Sequence, residues 1–260
     1  MVMQIFNYHT HTFRCGHANG TDEDYVAAAI EAGYKVLGFS DHTPYKNYPL
    51  KGIRMNWEDL DNYISSINSL KEKYKNQIQI LLGLESEYYP EFIDEKKELL
   101  SKLDYLILGQ HFTHPDAKIN YFNHNSDEQI LEYGKTVCEA MESGLFKYVC
   151  HPDVFMNNQT EFNDTCIKTS HMICKKAAEL DMPLEINING VRKGKTTFPQ
   201  GERYYYPFKE FWEIAASYNN KCLYGVDAHD PSLILDKQKI IDAQNELKDL
   251  NLNMIEKPFI

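Results

Sequence analysis

Residues 3–12 read MQIFNYHTHT, an apolar, β-prone run that closes on His9 and His11. Six further runs share the design: KVLGFSDH (35–42), IQILLGLE (78–85), DYLILGQH (104–111), KYVCHPD (147–153), PLEININ (183–189) and CLYGVDAH (222–229). Each is short and rich in apolar, β-branched or aromatic residues, the composition of a strand. Most stop on a metal-ligating side chain, namely His9, His11, His42, Glu85, His111, His151, Asp227 or His229.

Segments of helical periodicity separate the runs. Thr21 and Asp24 fit a helix N-cap with an acid in the first turn, and Tyr25, Val26, Ala29 and Ile30 supply a buried stripe ahead of Gly33. Over 57–74, Leu60, Tyr63, Ile64, Ile67 and Leu70 recur at three- and four-residue spacing. Similar patterns cover about 90–102, 126–143, 164–180, 207–218 and 232–250. Seven strands alternating with helices predict an α/β barrel, whose C-terminal strand ends share one face, so that ligands far apart in sequence meet there. The irregular stretches 43–56, 113–125 and 187–206 all follow strand ends, where long loops build a substrate pocket.

A length of 260 residues with 43% hydrophobic content suits one domain spanning 1–260. The formal charge of −11 excludes non-specific nucleic-acid binding, which needs a basic footprint, and leaves a small molecule as the expected partner. The opening MVMQIFNYHTHT lacks a basic n-region followed by an apolar h-region, and no apolar run nears the roughly 18 residues of a membrane helix. A cytoplasmic protein with no membrane partner is expected. The six cysteines, Cys15, Cys138, Cys150, Cys166, Cys174 and Cys222, form no CxxC pair and are read as reduced thiols.

His9 and His11, two apart at a strand end, project to the same face and can grip one ion. Alone, such a pair is weak evidence, because alternate histidines also occur on solvated strands. Seven of the ten histidines at or just beyond strand ends, with Glu85 and Asp227 as hard oxygen ligands able to bridge, point to a multinuclear metal site. His171, inside the 164–180 helix, and His124, in a polar loop, are read as ordinary surface or packing residues.

In this pattern the chain resembles the PHP (polymerase and histidinol phosphatase) family. HTH (9–11), His17, DH at Asp41 and His42, GLE ending at Glu85, GQH ending at His111, HPD opening at His151 and DAH (227–229) follow in order along nearly the whole chain. The resemblance implies a distorted seven-stranded β/α barrel with a trinuclear centre of zinc, manganese or iron. It implies His9, His11, Glu85 and Asp227 at a first ion, bridging Glu85 with His111 and His151 at a second, and His17, His42 and His229 at a third. Within the family the chain is most similar to monofunctional histidinol-phosphate phosphatases, through its length, EIN (185–187) followed by GVRKG (190–194), and the YYYP stretch (204–207). Gln110 departs from the commonest pattern of relatives.

The implied activity is hydrolysis of L-histidinol phosphate to L-histidinol and phosphate in histidine biosynthesis, by metal-activated hydroxide attack. Asp227 and His229 are the candidates for relaying a proton to the leaving alkoxide. Arg192 and Lys193 are candidate clamps for phosphate oxygens, with a solvated basic turn as the plain alternative. His114 is a candidate substrate contact, and Asp153, Glu161 and Asn187 lie in loops suited to the organic half. Asp41 is read as capping or orienting its neighbour His42. The competing readings are a PHP phosphoesterase for another phosphomonoester and a noncatalytic metal-binding domain. An amidohydrolase fits less well, since Glu85 stands where that site usually has a bridging lysine.

Overall fold

The computed structural model describes residues 4–199 and 201–260. In chain order the elements are β1 (Phe6–Asn7), α1 (Asp22–Glu31), β2 (Val36–His42), α2 (Leu60–Tyr74), β3 (Gln79–Ser86), α3 (Ile93–Leu100), β4 (Tyr105–Leu108), α4 (Asp127–Glu142), α5 (Asp164–Glu179), β5 (Leu184–Asn187), α6 (Asn189–Arg192), β6 (Thr196–Phe198), β7 (Gly201–Arg203), α7 (Lys209–Ser217), β8 (Lys221–Gly225), α8 (Pro231–Leu235), α9 (Lys237–Glu246) and β9 (Asn253–Met254). This is an α/β fold with parallel strands. Among the described residues no helix is long and apolar enough to cross a membrane. The chain divides into two compact units, one holding the chain up to Ile107 with Gly225–Lys237 and Glu256–Ile260, the other Leu108–Tyr224 with Gln238–Ile255.

In the first unit the strands lie in the order β1-β2-β3-β4. β2 and β3 pair in parallel from Val36 opposite Gln79 to His42 opposite Glu85. Nearly every residue of both is buried, which is why they read as continuous apolar runs and not as alternating ones. The Tyr105 phenol crosses beneath them, its hydroxyl 2.7 Å from the carbonyl of Tyr8 and 2.9 Å from that of Phe39. Gly38 and Gly83 make room for it: a Cβ at 38 would stand 2.3 Å from the Tyr105 hydroxyl, and one at 83 would stand 2.5 Å from its ring. α1 starts with the expected cap, Thr21 accepting from the Asp24 amide while Asp24 accepts from that of Thr21. The backbone amide of Phe259 donates to the Tyr8 hydroxyl at 3.0 Å, so the last segment also packs on the first.

The 43–56 stretch carries an unexpected buried group of charges. Tyr45 donates to Glu87 Oε2 at 3.2 Å and accepts from Lys96 Nζ at 2.9 Å, while Arg54 lies 3.6 Å from Glu87 Oε1. Both cations sit over the Tyr45 ring, at 4.9 and 4.6 Å from its centroid. Burial pushes the Lys96 ammonium down to about 8 against the pull of Glu87.

The second unit holds the order β5-β8-β9 and the antiparallel hairpin β6-β7. The 147–153 run, expected as a strand, contributes only parallel bridges from Val149 to Leu108 and to Leu184. Its pairing stops because His151 takes φ 30 and Pro152 has no amide hydrogen. α6 and the hairpin fall within 187–206, which the sequence marked as irregular. The expected helix over 232–250 is broken at Asp236, whose φ −78 and ψ 75 leave the helical region. All six cysteines are buried and free.

Two outcomes test this packing. Gly83→Ala is expected to destabilise the protein by about 1–3 kcal/mol through overpacking against Tyr105, read as a lower denaturation midpoint. Lys96 is protonated in the unfolded chain up to about pH 10.5 but in the folded chain only to about 8, so its penalty is full below pH 8 and is relieved as pH rises through that window. Wild type is therefore expected to gain stability relative to Lys96→Met between pH 8 and 10.5; parallel curves for the two proteins would contradict this.

Candidate metal centre

The ends of β1, β2, β3 and β8 bring seven of the expected ligands together in the first unit. His42 closes β2 directly opposite Glu85 of β3, so register alone sets an imidazole beside a carboxylate. β1 stops at Asn7, and beyond it Thr10 bridges Ala228 in parallel while the His11 amide donates to the Ala228 carbonyl at 2.9 Å. Asn7 ties this corner, donating to the His9 carbonyl at 3.0 Å and accepting from the Val226 amide at 2.9 Å. Asp227 takes φ 49, a left-handed conformation unusual for a residue with a side chain. Gly16, at φ 83, turns the chain toward His17, with no space for a Cβ against Gly52.

Two carboxylate oxygens organise the cluster. Asp227 Oδ1 lies 3.1 Å from His11 Nε2, 3.6 Å from His9 Nε2 and 3.3 Å from His229 Nδ1. Glu85 Oε2 lies 3.0 Å from His42 Nδ1, 3.5 Å from His9 Nε2 and 3.6 Å from His11 Nε2. The His11 and His229 rings stack with centroids 4.0 Å apart, and the exposed His17 ring stacks on His229 at 4.6 Å. Ligand atoms of His9, His11 and Asp227, of His11, His42 and Glu85, and of His17, His42 and His229 lie within 4.8 Å of one another in each trio.

The donor set fits a divalent cation. Nε2 of His229 is buried without a hydrogen-bond partner among the described residues, a costly state that a bound ion relieves. Nitrogen and carboxylate donors suit zinc, manganese or iron. Burial pulls the His11 imidazole down, but Asp227, Asp41 and Glu85 lift it to about 8. Burial and the His11 charge hold His229 down at about 2, and the same two causes lower His17. Burial raises Asp227, yet His9, His11 and His229 carry it well below the usual carboxylate range.

The Asp41 carboxylate accepts from the His42 backbone amide at 2.8 Å, while the imidazole it faces is that of His11, its Oδ1 being 3.6 Å from His11 Nδ1. Asp41 thus caps its neighbour at the His42 amide, as expected, and its carboxylate also faces His11. Cys15, read only as a reduced thiol, lies within 4.8 Å of ligand nitrogens of His11 and His229. Burial and Asp41 push that thiol up, so it stays protonated.

The second unit holds His111 and His151, with ring centroids 5.0 Å apart. Phe122 stacks on His111 at 5.7 Å, and Tyr206 lies 6.3 Å from His151. Lys193 is exposed with its Nζ 5.7 to 6.0 Å from the Phe122, Tyr205 and Tyr206 ring centroids, and Arg192 is half-buried at the end of α6. His114 pairs with Asp116 at 3.3 Å, and Gln110 donates to the Phe112 carbonyl within its own loop. Asp153 is buried and accepts from the Phe208 amide at 2.6 Å and from Trp212 Nε1 at 3.0 Å, both on Oδ2, a duty to the fold. His171 and His124 are exposed. Phe122 carried no sequence signal, whereas Tyr206 stood in the YYYP stretch.

The chain matches the PHP domain model over residues 7–189 and belongs to the PHP family. It is 29% identical over 250 residues to a protein of Deinococcus radiodurans named as a probable histidinol-phosphatase, covering 93% of this chain and 92% of that one. It is 32% identical over 156 residues to the histidinol-phosphatase of Bacillus subtilis, covering 56% and 58% of the two chains. In fold it is similar to the histidinol phosphate phosphatase of Lactococcus lactis, solved in complex with zinc, L-histidinol and phosphate, at a TM-score of 0.73 and 19% identity over 97% of this chain and 95% of that one.

Since an imidazole must lose its proton before it can bind an ion, and His11 holds its proton up to about pH 8, zinc uptake is expected to release protons. Calorimetry in buffers of differing ionisation heat should find a larger release at pH 7 than at pH 9, with affinity falling as pH drops below 8. Equal release at both values would show that His11 does not surrender a proton to zinc in this range.

Proposed function

We propose that this chain is a metal-dependent phosphomonoester hydrolase that converts L-histidinol phosphate to L-histidinol and phosphate, with residues 1–260 acting as one catalytic domain. The observation that carries the reading is the buried cluster of imidazoles around Glu85 Oε2 and Asp227 Oδ1, held on strand ends of a PHP-family chain. The near full-length likeness to a protein named as a histidinol-phosphatase supports the substrate. The seven runs of the sequence then stand for the seven strands of the family's distorted barrel, with Val149 marking the fifth. The expected setting is the cytoplasm.

In this reading His9, His11, His17, His42, Glu85, Asp227 and His229 hold the ions, and His111 and His151 complete the ligand set. Bound divalent ions would neutralise the phosphate oxygens and acidify a water for in-line attack on phosphorus. Asp227 or His229 is assigned to relaying a proton to the departing alkoxide: the proton would come from the attacking water, and the water's oxygen would end on phosphate. Arg192 and Lys193 are assigned to phosphate oxygens, where a guanidinium offers paired donors, and His114 to the substrate.

Metal-stripped protein reconstituted with zinc, manganese or iron is expected to release phosphate from L-histidinol phosphate with a clearly higher kcat/KM than from nucleotide, sugar or phosphotyrosine monoesters. Preference for another ester would keep the chemistry and replace the substrate; no turnover with any ion would favour a noncatalytic domain. Arg192→Ala is expected to lower kcat/KM on the order of 100-fold by removing a charged donor. Unchanged kinetics would exclude that role.

A further inference from the structure

Behind His11 a polar chain leads away from the ligand cluster. Asp41, fully buried, faces His11 Nδ1 with Oδ1. Its other oxygen, Oδ2, accepts a short hydrogen bond from the hydroxyl of the fully buried Thr12. The Thr12 oxygen accepts in turn from Arg14, at 3.3 Å from its guanidinium and 3.4 Å from its backbone amide. Arg14, also buried, is locked from the far side: it donates to Asp22 Oδ1 at 2.8 Å and to Asn62 Oδ1 at 2.8 and 3.1 Å, and Ser66 holds the remaining Asp22 oxygen at 2.5 Å. Asp22 belongs to α1, and Asn62 and Ser66 to α2.

Direction matters in this chain. Asp41 can only accept, Arg14 can only donate, and the Thr12 hydroxyl does both, with its one hydrogen spent on Asp41. With an ion at Nε2, a carboxylate fixed on both oxygens and 3.6 Å from Nδ1 favours the tautomer with hydrogen on Nδ1, which leaves Nε2 as the lone pair. His11 Nε2 is the nitrogen that points at Asp227 Oδ1 and Glu85 Oε2.

We infer that Thr12 and Arg14 are positioning residues for the metal centre: acting through Asp41, they hold His11 in the Nδ1-protonated form and aim its Nε2 at the ion. The inference rests on the metal reading of the cluster. It places the control of one ligand in α1 and α2, and it gives Thr12 a role distinct from the turn that it caps at Phe13–Cys15.

The test is zinc affinity, measured on metal-stripped wild type, Thr12→Val, Thr12→Ser and Arg14→Lys by competition with a chromophoric chelator, beside the melting curve of each metal-free protein. Thr12→Val keeps the shape but not the hydroxyl, and is expected to weaken zinc binding by about 10- to 100-fold. Thr12→Ser restores the hydroxyl and is expected to stay within about threefold of wild type, well short of the loss that removing such a contact brings. Arg14→Lys loses the fork and should fall on the weakened side. Nitrogen-15 spectra of the zinc-loaded proteins should show His11 protonated at Nδ1 in wild type and Thr12→Ser, with that signal lost or shifted in Thr12→Val. Wild-type affinity in Thr12→Val, or equal weakening in Thr12→Ser, would overturn the inference. Should Thr12→Val fail to fold, Arg14→Lys decides on the same scale. Wild type that binds no divalent ion would overturn the metal reading itself, and the inference with it.

Discussion

Two carboxylate oxygens, Glu85 Oε2 and Asp227 Oδ1, each face three imidazole nitrogens in a space where His9 and His11 have no exposure to solvent. Ionised groups taken out of water are expensive unless opposite charge and fixed dipoles surround them. The first unit supplies those surroundings. Strand register sets His42 against Glu85, the Asn7 side chain secures the turn that carries His9, and the left-handed backbone at Asp227 turns its carboxylate toward three rings. The sheet keeps that arrangement only while its own interior is filled, which is the part played by the Tyr105 phenol against Gly38 and Gly83.

The clustering of His9, His11, His17, His42, Glu85, Asp227 and His229 was legible in the sequence because a metal site would constrain residue type and strand ends constrain position. One apolar run closing on His or Glu can arise by chance, but its recurrence along a chain requires a shared ligand for those ends. The N-cap of α1 also followed from local chemistry. What escaped was cooperative. The 147–153 run has strand composition, but pairing there is limited to Val149 because the next residues bend the backbone and remove a donor. The break at Asp236 lies within an unbroken helical pattern, since periodicity reports burial and not continuity.

Individual side chains were harder still, because type does not reveal direction. By sequence Asp41 adjoins only His42, and the folded backbone brings its carboxylate to His11 as well. Asp153 looked like a loop carboxylate open to a ligand, yet it satisfies the Phe208 amide and the Trp212 indole. The Tyr45, Arg54, Glu87 and Lys96 group joins residues from a loop, a strand end and a helix, with no spacing to betray it.

The first unit gathers the chain up to Ile107 and the segment Gly225–Lys237, and Phe259 returns to Tyr8. Its contacts are therefore among the least local that the polypeptide can make, and closing them costs more chain entropy than a helical hairpin would. During synthesis His9, His11, His17, His42 and Glu85 are made well before Asp227 and His229, so the cluster cannot be completed until the long segment between them has been made. The order in which the segments arrive, as well as the final geometry, therefore bears on how the cluster is assembled.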